Sequence, residues 1–101
     1  MPIPTDLRNS YIRSAQDKKS RLDEYWLQGR SAGFTPESLE PLMRYCHQLA
    51  GSGGSYGFPD LGDAARSLEL AIASSAGSGD LESAYDTLKA RLDDLAGTAL
   101  D

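Results

Sequence analysis

The sequence predicts an all-α protein, a single domain folded as an antiparallel up-down-up-down four-helix bundle. Apolar residues recur at spacings of three and four, clusters of Gly, Pro and Ser separate four such segments, and no segment alternates as a strand does. A chain of 101 residues suffices for one modest core. We expect one domain over residues 1–101, with helices at about 5–29, 36–55, 60–75 and 80–97.

The first predicted helix opens at Thr5, after a segment 1–4 that its two prolines keep extended. Its polar stretch 16–20 interrupts the apolar pattern, and we favour one helix with a possible bend over two helices. The apolar positions that keep helical spacing are Leu7, Tyr11, Ile12, Ala15, Leu22, Tyr25, Trp26 and Gly29.

The second helix has the clearest start, with Thr35 as N-cap and Pro36 at the first helical position. We expect it to reach about Ser55, although Gly53-Gly54 is also a plausible helix end. Its apolar stripe is Leu39, Leu42, Cys46, Leu49, Gly53 and Tyr56.

Two shorter amphipathic segments follow, and aspartates are the predicted caps of both. Asp60 precedes one helix and Asp80 the other. The first of these segments repeats Leu61, Ala64, Ala65, Leu68, Ala71 and Ile72, and the second repeats Leu81, Tyr85, Leu88, Leu92 and Leu95.

Composition narrows the class of function. A net charge of −5 argues against binding nucleic acid, which selects basic surfaces. No apolar run is long enough to cross a membrane, and the N-terminus has no secretory pattern, so we expect a cytoplasmic protein. The lone Cys46 lies on the apolar stripe and is interpreted as a core residue.

The only histidine, His47, lies beside that stripe on a face with little bulk. Glycine in a helix interior costs about 0.5–1 kcal/mol relative to alanine, so a glycine-rich run indicates that side chains have been left out for a reason. The neighbours of His47 on its own face are Glu40, Met43 and Arg44 before it, and Ala50, Gly51 and Gly54 after it. A partner could therefore approach the imidazole closely.

The run His47-Gln48-Leu49-Ala50-Gly51-Ser52, followed by Gly57 and an amphipathic helix, resembles the histidine-containing phosphotransfer (HPt) domains of bacterial phosphorelays. Length and helix order agree over nearly the whole chain. The chain departs from the family pattern at Ala50, where lysine is usual.

The resemblance implies that His47 accepts a phosphoryl group from one receiver-domain aspartate and passes it to another. It implies response-regulator receiver domains and a hybrid histidine kinase as partners, with Mg²⁺ on the receiver and no cofactor of the chain's own. The chain would then be a monomeric phosphocarrier without kinase activity. With Ala50 in place of lysine, candidates for stabilising the phosphoryl group are Arg44, Gln48 and Ser55. Candidates for contacting the partner are Met43, Arg44, Gln48, Ala50, Gly51 and Gly54.

Two other classes stay open. A module of the same fold could bind a receiver without turnover. The dimerisation bundle of a histidine kinase usually follows its histidine with an acid, where this chain has Gln48.

The glycine run is no phosphate-binding loop, because Phe58 follows Gly57 where Lys-Ser or Lys-Thr belongs. One histidine and one cysteine also give no ligand set typical of a metal site.

Overall fold

The computed structural model describes residues 3–101, and within them all regular structure is helical. The all-α prediction is confirmed, but residues 3–101 form five helices and not four: α1 Thr5–Arg13, α2 Ala15–Ser31, α3 Pro36–Ser55, α4 Pro59–Ala73 and α5 Ser78–Ala96. Of the predicted extended segment, Met1 and Pro2 lie outside the described residues, whereas Pro4 is extended. No helix between residues 3 and 101 is long and apolar enough to span a membrane.

The predicted first helix is divided at Ser14, so the expectation of one continuous helix was wrong. The Ser14 hydroxyl donates to the carbonyl oxygen of Tyr11 at 2.6 Å and accepts from the Lys18 ammonium. Serine competes with the helical backbone in this way, and the hydrogen bond leaves no trace in the apolar pattern. The short α1 then stacks Tyr11 on Tyr56 beyond the end of α3, with ring centroids 4.5 Å apart.

Helix α3, which carries His47, has well-defined ends. At its start, the hydroxyl of Thr35 accepts from the Ser38 amide at 3.2 Å, as predicted. At its end, Gly57 has φ +85°, and the amides of Gly57 and Phe58 donate to the carbonyls of Gly54 and Gly53. This is a Schellman cap, which lets α3 continue through Gly53 and Gly54 before it stops.

The caps predicted for the last two helices were wrong. Phe58 holds the N-cap position of α4 and Gly77 that of α5, without side-chain capping in either case. Pro59 fits the first helical position of α4, since its missing N–H would be unpaired there anyway. Asp60 and Asp80 instead lie inside the first turns, where a carboxylate favours the positive end of the helix dipole.

The four longer helices form a closed ring, because α2 and α4 each pack against both α3 and α5. Asp23 of α2 accepts from Tyr85, and Lys19 pairs with Asp93, so α2 and α5 run antiparallel. Leu7 is exposed and does not join the core as its spacing predicted. The core consists of Tyr11, Ile12, Ala15, Leu22, Trp26, Leu39, Leu42, Cys46, Leu49, Leu61, Ala64, Ala65, Leu68, Leu81, Tyr85, Leu88, Leu92 and Leu95.

Helices α3 and α4 approach each other most closely where two glycines meet. A Cβ placed on Gly53 would lie 2.8 Å from the backbone nitrogen of Gly62, and one on Gly62 would lie 2.9 Å from the Ala50 carbonyl oxygen. Neither position has room for a side chain. This contact, close to the Gly57 turn, fixes how the two helices are aligned and therefore which α4 residue lies opposite His47.

Candidate functional site

The imidazole of His47 projects from the middle of α3 into solvent. Its side chain is 77 % exposed, although Cys46 and Leu49 on the same helix are fully buried or nearly so. The difference follows from helical geometry, since Cys46 and Leu49 point into the ring of helices and His47 lies at the edge of that face. A group on another molecule can therefore reach the ring.

One nitrogen of this imidazole is already occupied. Nδ1 of His47 lies 2.8 Å from Oε2 of Glu69, a half-buried side chain on α4. A carboxylate can only accept, so Nδ1 carries the proton and donates. In the neutral ring Nε2 then has a free lone pair. The arrangement holds the ring in one tautomer and directs its nucleophilic nitrogen away from α4.

Sequence reasoning missed Glu69, which reads as one more acid on the polar face of an amphipathic helix. The signal lay in the antiparallel alignment of α3 and α4 about the Gly57 turn. In two antiparallel helices, residues that face each other have numbers with a nearly constant sum. This sum is 115 for the contact between Gly53 and Gly62 and 116 for His47 and Glu69. Counting outward from the turn therefore finds the residue opposite the histidine, once the two helices are known to pair.

The structure brings three predicted residues together around His47. Met43, Arg44 and Gln48 line a shallow depression of about 400 Å³ with the histidine and Glu69. Arg44 is largely exposed and forms an ion pair with Glu40, one turn earlier on α3. Its guanidinium is thus beside the site with part of its charge already compensated.

The remaining predicted residues lie further along α3. Gly51 and Gly54 are exposed, and a Cβ on either would meet no atom within 4 Å. Ala50 is half-buried. Ser55 is exposed but lies eight residues beyond His47, about 12 Å along the helix axis, outside the depression. The surface on the C-terminal side of the imidazole is accordingly bare, and its two outward glycines fill no space inside the protein.

Two further grooves adjoin the depression, one on each side. The apolar groove, of about 380 Å³, lies between α3 and the end of α4 and shares Met43 with the depression; Phe34, Ile72 and Ala76 also line it. The polar groove, of about 430 Å³, lies between the α1–α2 segment and α3 and shares Gln48. His47 therefore lies in a continuous surface of three shallow hollows.

Other chemistry finds no support in the described part of the chain. Within residues 3–101, no three His, Cys, Asp or Glu side chains group as metal ligands would. Burial raises the pKa of the Cys46 thiol to about 12, which keeps it protonated near neutral pH. A protonated thiol is a poor nucleophile and a poor ligand.

Comparison with known proteins gives one match, to a protein family. The family model described as Hpt domain matches residues 6–98, which include all five helices except the first residue of α1. No curated protein and no solved structure matches the chain. Domains of this family function in phosphotransfer within two-component signalling. The chain belongs to the Hpt domain family.

Proposed function

We propose that this protein relays a phosphoryl group between receiver-domain aspartates through phosphohistidine at His47. The observation that carries the proposal is the exposed imidazole whose Nδ1 donates to Glu69, because this leaves Nε2 as an accessible nucleophile. Its partners would be response-regulator receiver domains and a hybrid histidine kinase. The protein would act as a cytoplasmic monomer without a cofactor of its own, and Mg²⁺ would be bound by the receiver.

The proposed transfer step needs only the imidazole of His47 and the aspartyl phosphate of the receiver. The Nε2 lone pair of His47 attacks the phosphorus of an aspartyl phosphate, a P–N bond forms, and the P–O bond to the aspartate breaks with its electron pair left on the carboxylate. No proton has to move, since Nε2 carries none. The ring becomes cationic, and Glu69 at Nδ1 stabilises that charge. Attack by a second aspartate reverses the same step.

The phosphoryl group brings about −1.5 to −2 charges to this surface. With Ala50 at the position where lysine is usual, Arg44 is our first candidate for balancing them, since it lines the same depression as His47. Gln48 can donate a hydrogen bond from the same hollow. Ser55 lies too far along α3 to donate a hydrogen bond to a phosphoryl group on His47. Phosphoryl transfer depends mainly on such positioning and charge stabilisation.

The bare side of α3 is the proposed docking surface for the receiver. Gly51 and Gly54 leave room for a convex partner to press against the helix beside His47. Met43 and the adjoining apolar groove supply an apolar centre, and Arg44 and Gln48 supply polar groups at its edge. Transient complexes bury patches of this mixed character. Ala50, half-buried, would contribute backbone and methyl contacts.

The closed ring of α2 to α5 supports a monomer. We interpret it as an up-down-up-down bundle completed within one chain, with α1 as an added short helix. A kinase dimerisation module would instead need helices from a second chain to close its core. A sizing column that shows only a dimer would favour that alternative.

Incubation with a receiver phosphorylated on its aspartate tests the proposal. We expect label to move to this protein as an acid-labile, alkali-stable phosphate, and His47→Gln to abolish it. The chain has one histidine, so a phosphohistidine can have only one location. Glu24→Gln, at an exposed site on α2, is a matched control that should label normally. A receiver that binds wild type without transferring label would contradict the relay and support a binding module.

A further inference from the structure

The polar groove contains a local excess of positive charge on an acidic protein. Its charged side chains are Asp17, Lys18 and Arg21, which sum to +1, whereas the chain as a whole carries −5. Tyr45, Gln48 and Ser52 of α3 form the opposite wall with hydroxyl and amide groups. The groove can therefore offer cations and hydrogen-bond donors together.

Five of the other eight cations in residues 3–101 are paired, whereas Arg13, Arg30 and Arg66 are not. Arg8, Lys19, Arg44, Lys89 and Arg91 each have a carboxylate within ion-pair distance.

By contrast, no carboxylate in residues 3–101 lies within ion-pair distance of Lys18 or Arg21. The Lys18 ammonium instead lies 4.2 Å from the centroid of the Tyr11 ring and donates to Ser14. Partial burial lowers the pKa of Lys18, because the charged form is desolvated there. Arg21 is free to pair with a carboxylate of another molecule, whereas Asp17 of the same groove attracts Lys18 without forming an ion pair with it.

The groove lies within reach of anything bound over His47. Gln48 lines both the groove and the depression around the histidine. A transient interface of about 600–800 Å² per partner has a radius of about 14–16 Å if it is round. The groove lies about 150° around α3 from His47, an arc of about 13 Å at a helix radius of about 5 Å. Gln48 lies between the two, so a partner that extends from His47 across Gln48 towards α2 meets the near edge of the groove.

The chemistry of the proposed transfer specifies what that partner brings. A Mg²⁺ ion bound at a phosphoaspartate is held by carboxylates and phosphate oxygens, whose summed negative charge exceeds the two positive charges of the ion, so the donor's reacting face keeps a net negative charge. With a net charge of −5, this protein as a whole would repel such a face. The polar groove would attract it.

We propose that the polar groove, through Lys18 and Arg21, is the electrostatic docking site for the acidic rim of the receiver that exchanges phosphate with His47. This inference rests on the proposed function and adds to it an orientation: the acidic rim lies toward α2, and the apolar part of the partner lies toward the α3–α4 groove. Complementary charges of this kind act chiefly on the association rate, and salt weakens them.

The test compares Arg21→Glu with Arg30→Glu in rapid-quench transfer from a phosphorylated receiver, at low and at high ionic strength. Arg30 is exposed, has no carboxylate within ion-pair distance in the described chain, and lies nine residues along α2, hence on the opposite side of that helix. Both variants change the net charge equally.

We expect Arg21→Glu to reduce the second-order transfer rate about three- to ten-fold at low salt, and to approach wild type at high salt. Arg30→Glu should change it less than about two-fold. The transfer rate of Arg21→Gln should lie between those of Arg21→Glu and wild type. This variant provides the test if the reversed charge impairs folding.

Equal effects of the Arg21 and Arg30 reversals would overturn the docking site while the relay at His47 stands. A wild-type protein that takes up no label at all would instead overturn the proposed function. A loss in Arg21→Glu that persists undiminished at high salt would also overturn the electrostatic role.

Discussion

Replacing Gly53 by alanine should destabilise the protein, although alanine is the better helix former. The added Cβ would lie 2.8 Å from the Gly62 nitrogen, 3.0 Å from its Cα and 3.2 Å from the Phe58 carbonyl oxygen. All three are backbone atoms, so relief requires α3 and α4 to separate. Gly51 and Gly54 provide matched controls on the same helix, because a Cβ at either meets nothing within 4 Å.

Alanine should lower the stability of the protein at the inward Gly53 and raise it at the outward Gly51. Overpacking of a tight contact costs about 1–3 kcal/mol, against a gain of about 0.5–1 kcal/mol in helix propensity, so Gly53→Ala should lose up to about 2.5 kcal/mol, and about 1.3 kcal/mol at the middle of both ranges. Gly51→Ala should show only the gain in helix propensity, because its Cβ meets no other atom. For a domain of this size we expect the Tm to fall by about 5–10 °C in the first variant, at that mid-range loss, and to rise by about 2–8 °C in the second.

Thermal and urea unfolding followed by circular dichroism measure both effects. A Gly53→Ala variant stabilised as much as Gly51→Ala would refute the close approach of α3 and α4 at this point. A Gly51→Ala variant that loses stability would show that this glycine has a structural role inside the protein, and would remove it as a sign of a docking surface.

Three further predictions concern side chains at and beneath the site. Glu69→Ala should slow phosphoryl transfer about three- to ten-fold without loss of stability, Glu69→Gln should slow it less, and Asp63→Ala on the same helix should not change it. Arg44→Ala should slow transfer and shorten the phosphohistidine lifetime, whereas Glu40→Gln, which releases the guanidinium, should not; unchanged kinetics in Arg44→Ala would exclude its role.

Burial raises the pKa of the Cys46 thiol to about 12, so its reaction with a disulfide reagent at about pH 8 should be at least about 100-fold slower in the folded protein than in guanidinium chloride. Because this pKa is raised above that of the unfolded thiol, the associated stability is complete below about pH 8.5 and is lost as the pH rises towards about 12. Rapid labelling of the folded protein would contradict this.

The apolar pattern predicted the helices well because each one buries a single stripe. The stripe of α3, from Leu39 to Gly53, is buried as its spacing required. The break at Ser14 escaped the pattern, since it depends on a hydroxyl that bonds its own backbone and on Lys18, both polar. Glu69 escaped it too, because its role depends on the alignment of two helices and not on spacing within one.

The glycines of α3 have two separate physical roles. Gly53 faces inward and lets α4 approach closely enough for Glu69 to reach Nδ1 of His47, so its absent side chain serves the geometry of the imidazole. Gly51 and Gly54 face outward, where an alanine would fit and would favour the helix. No contact within the described chain accounts for the stability lost by having glycine instead of alanine at these two positions. The proposed docking surface, which a receiver would have to meet closely, would account for it. For this reason Gly51→Phe should leave the stability of the fold unchanged or higher and still slow the proposed transfer to His47.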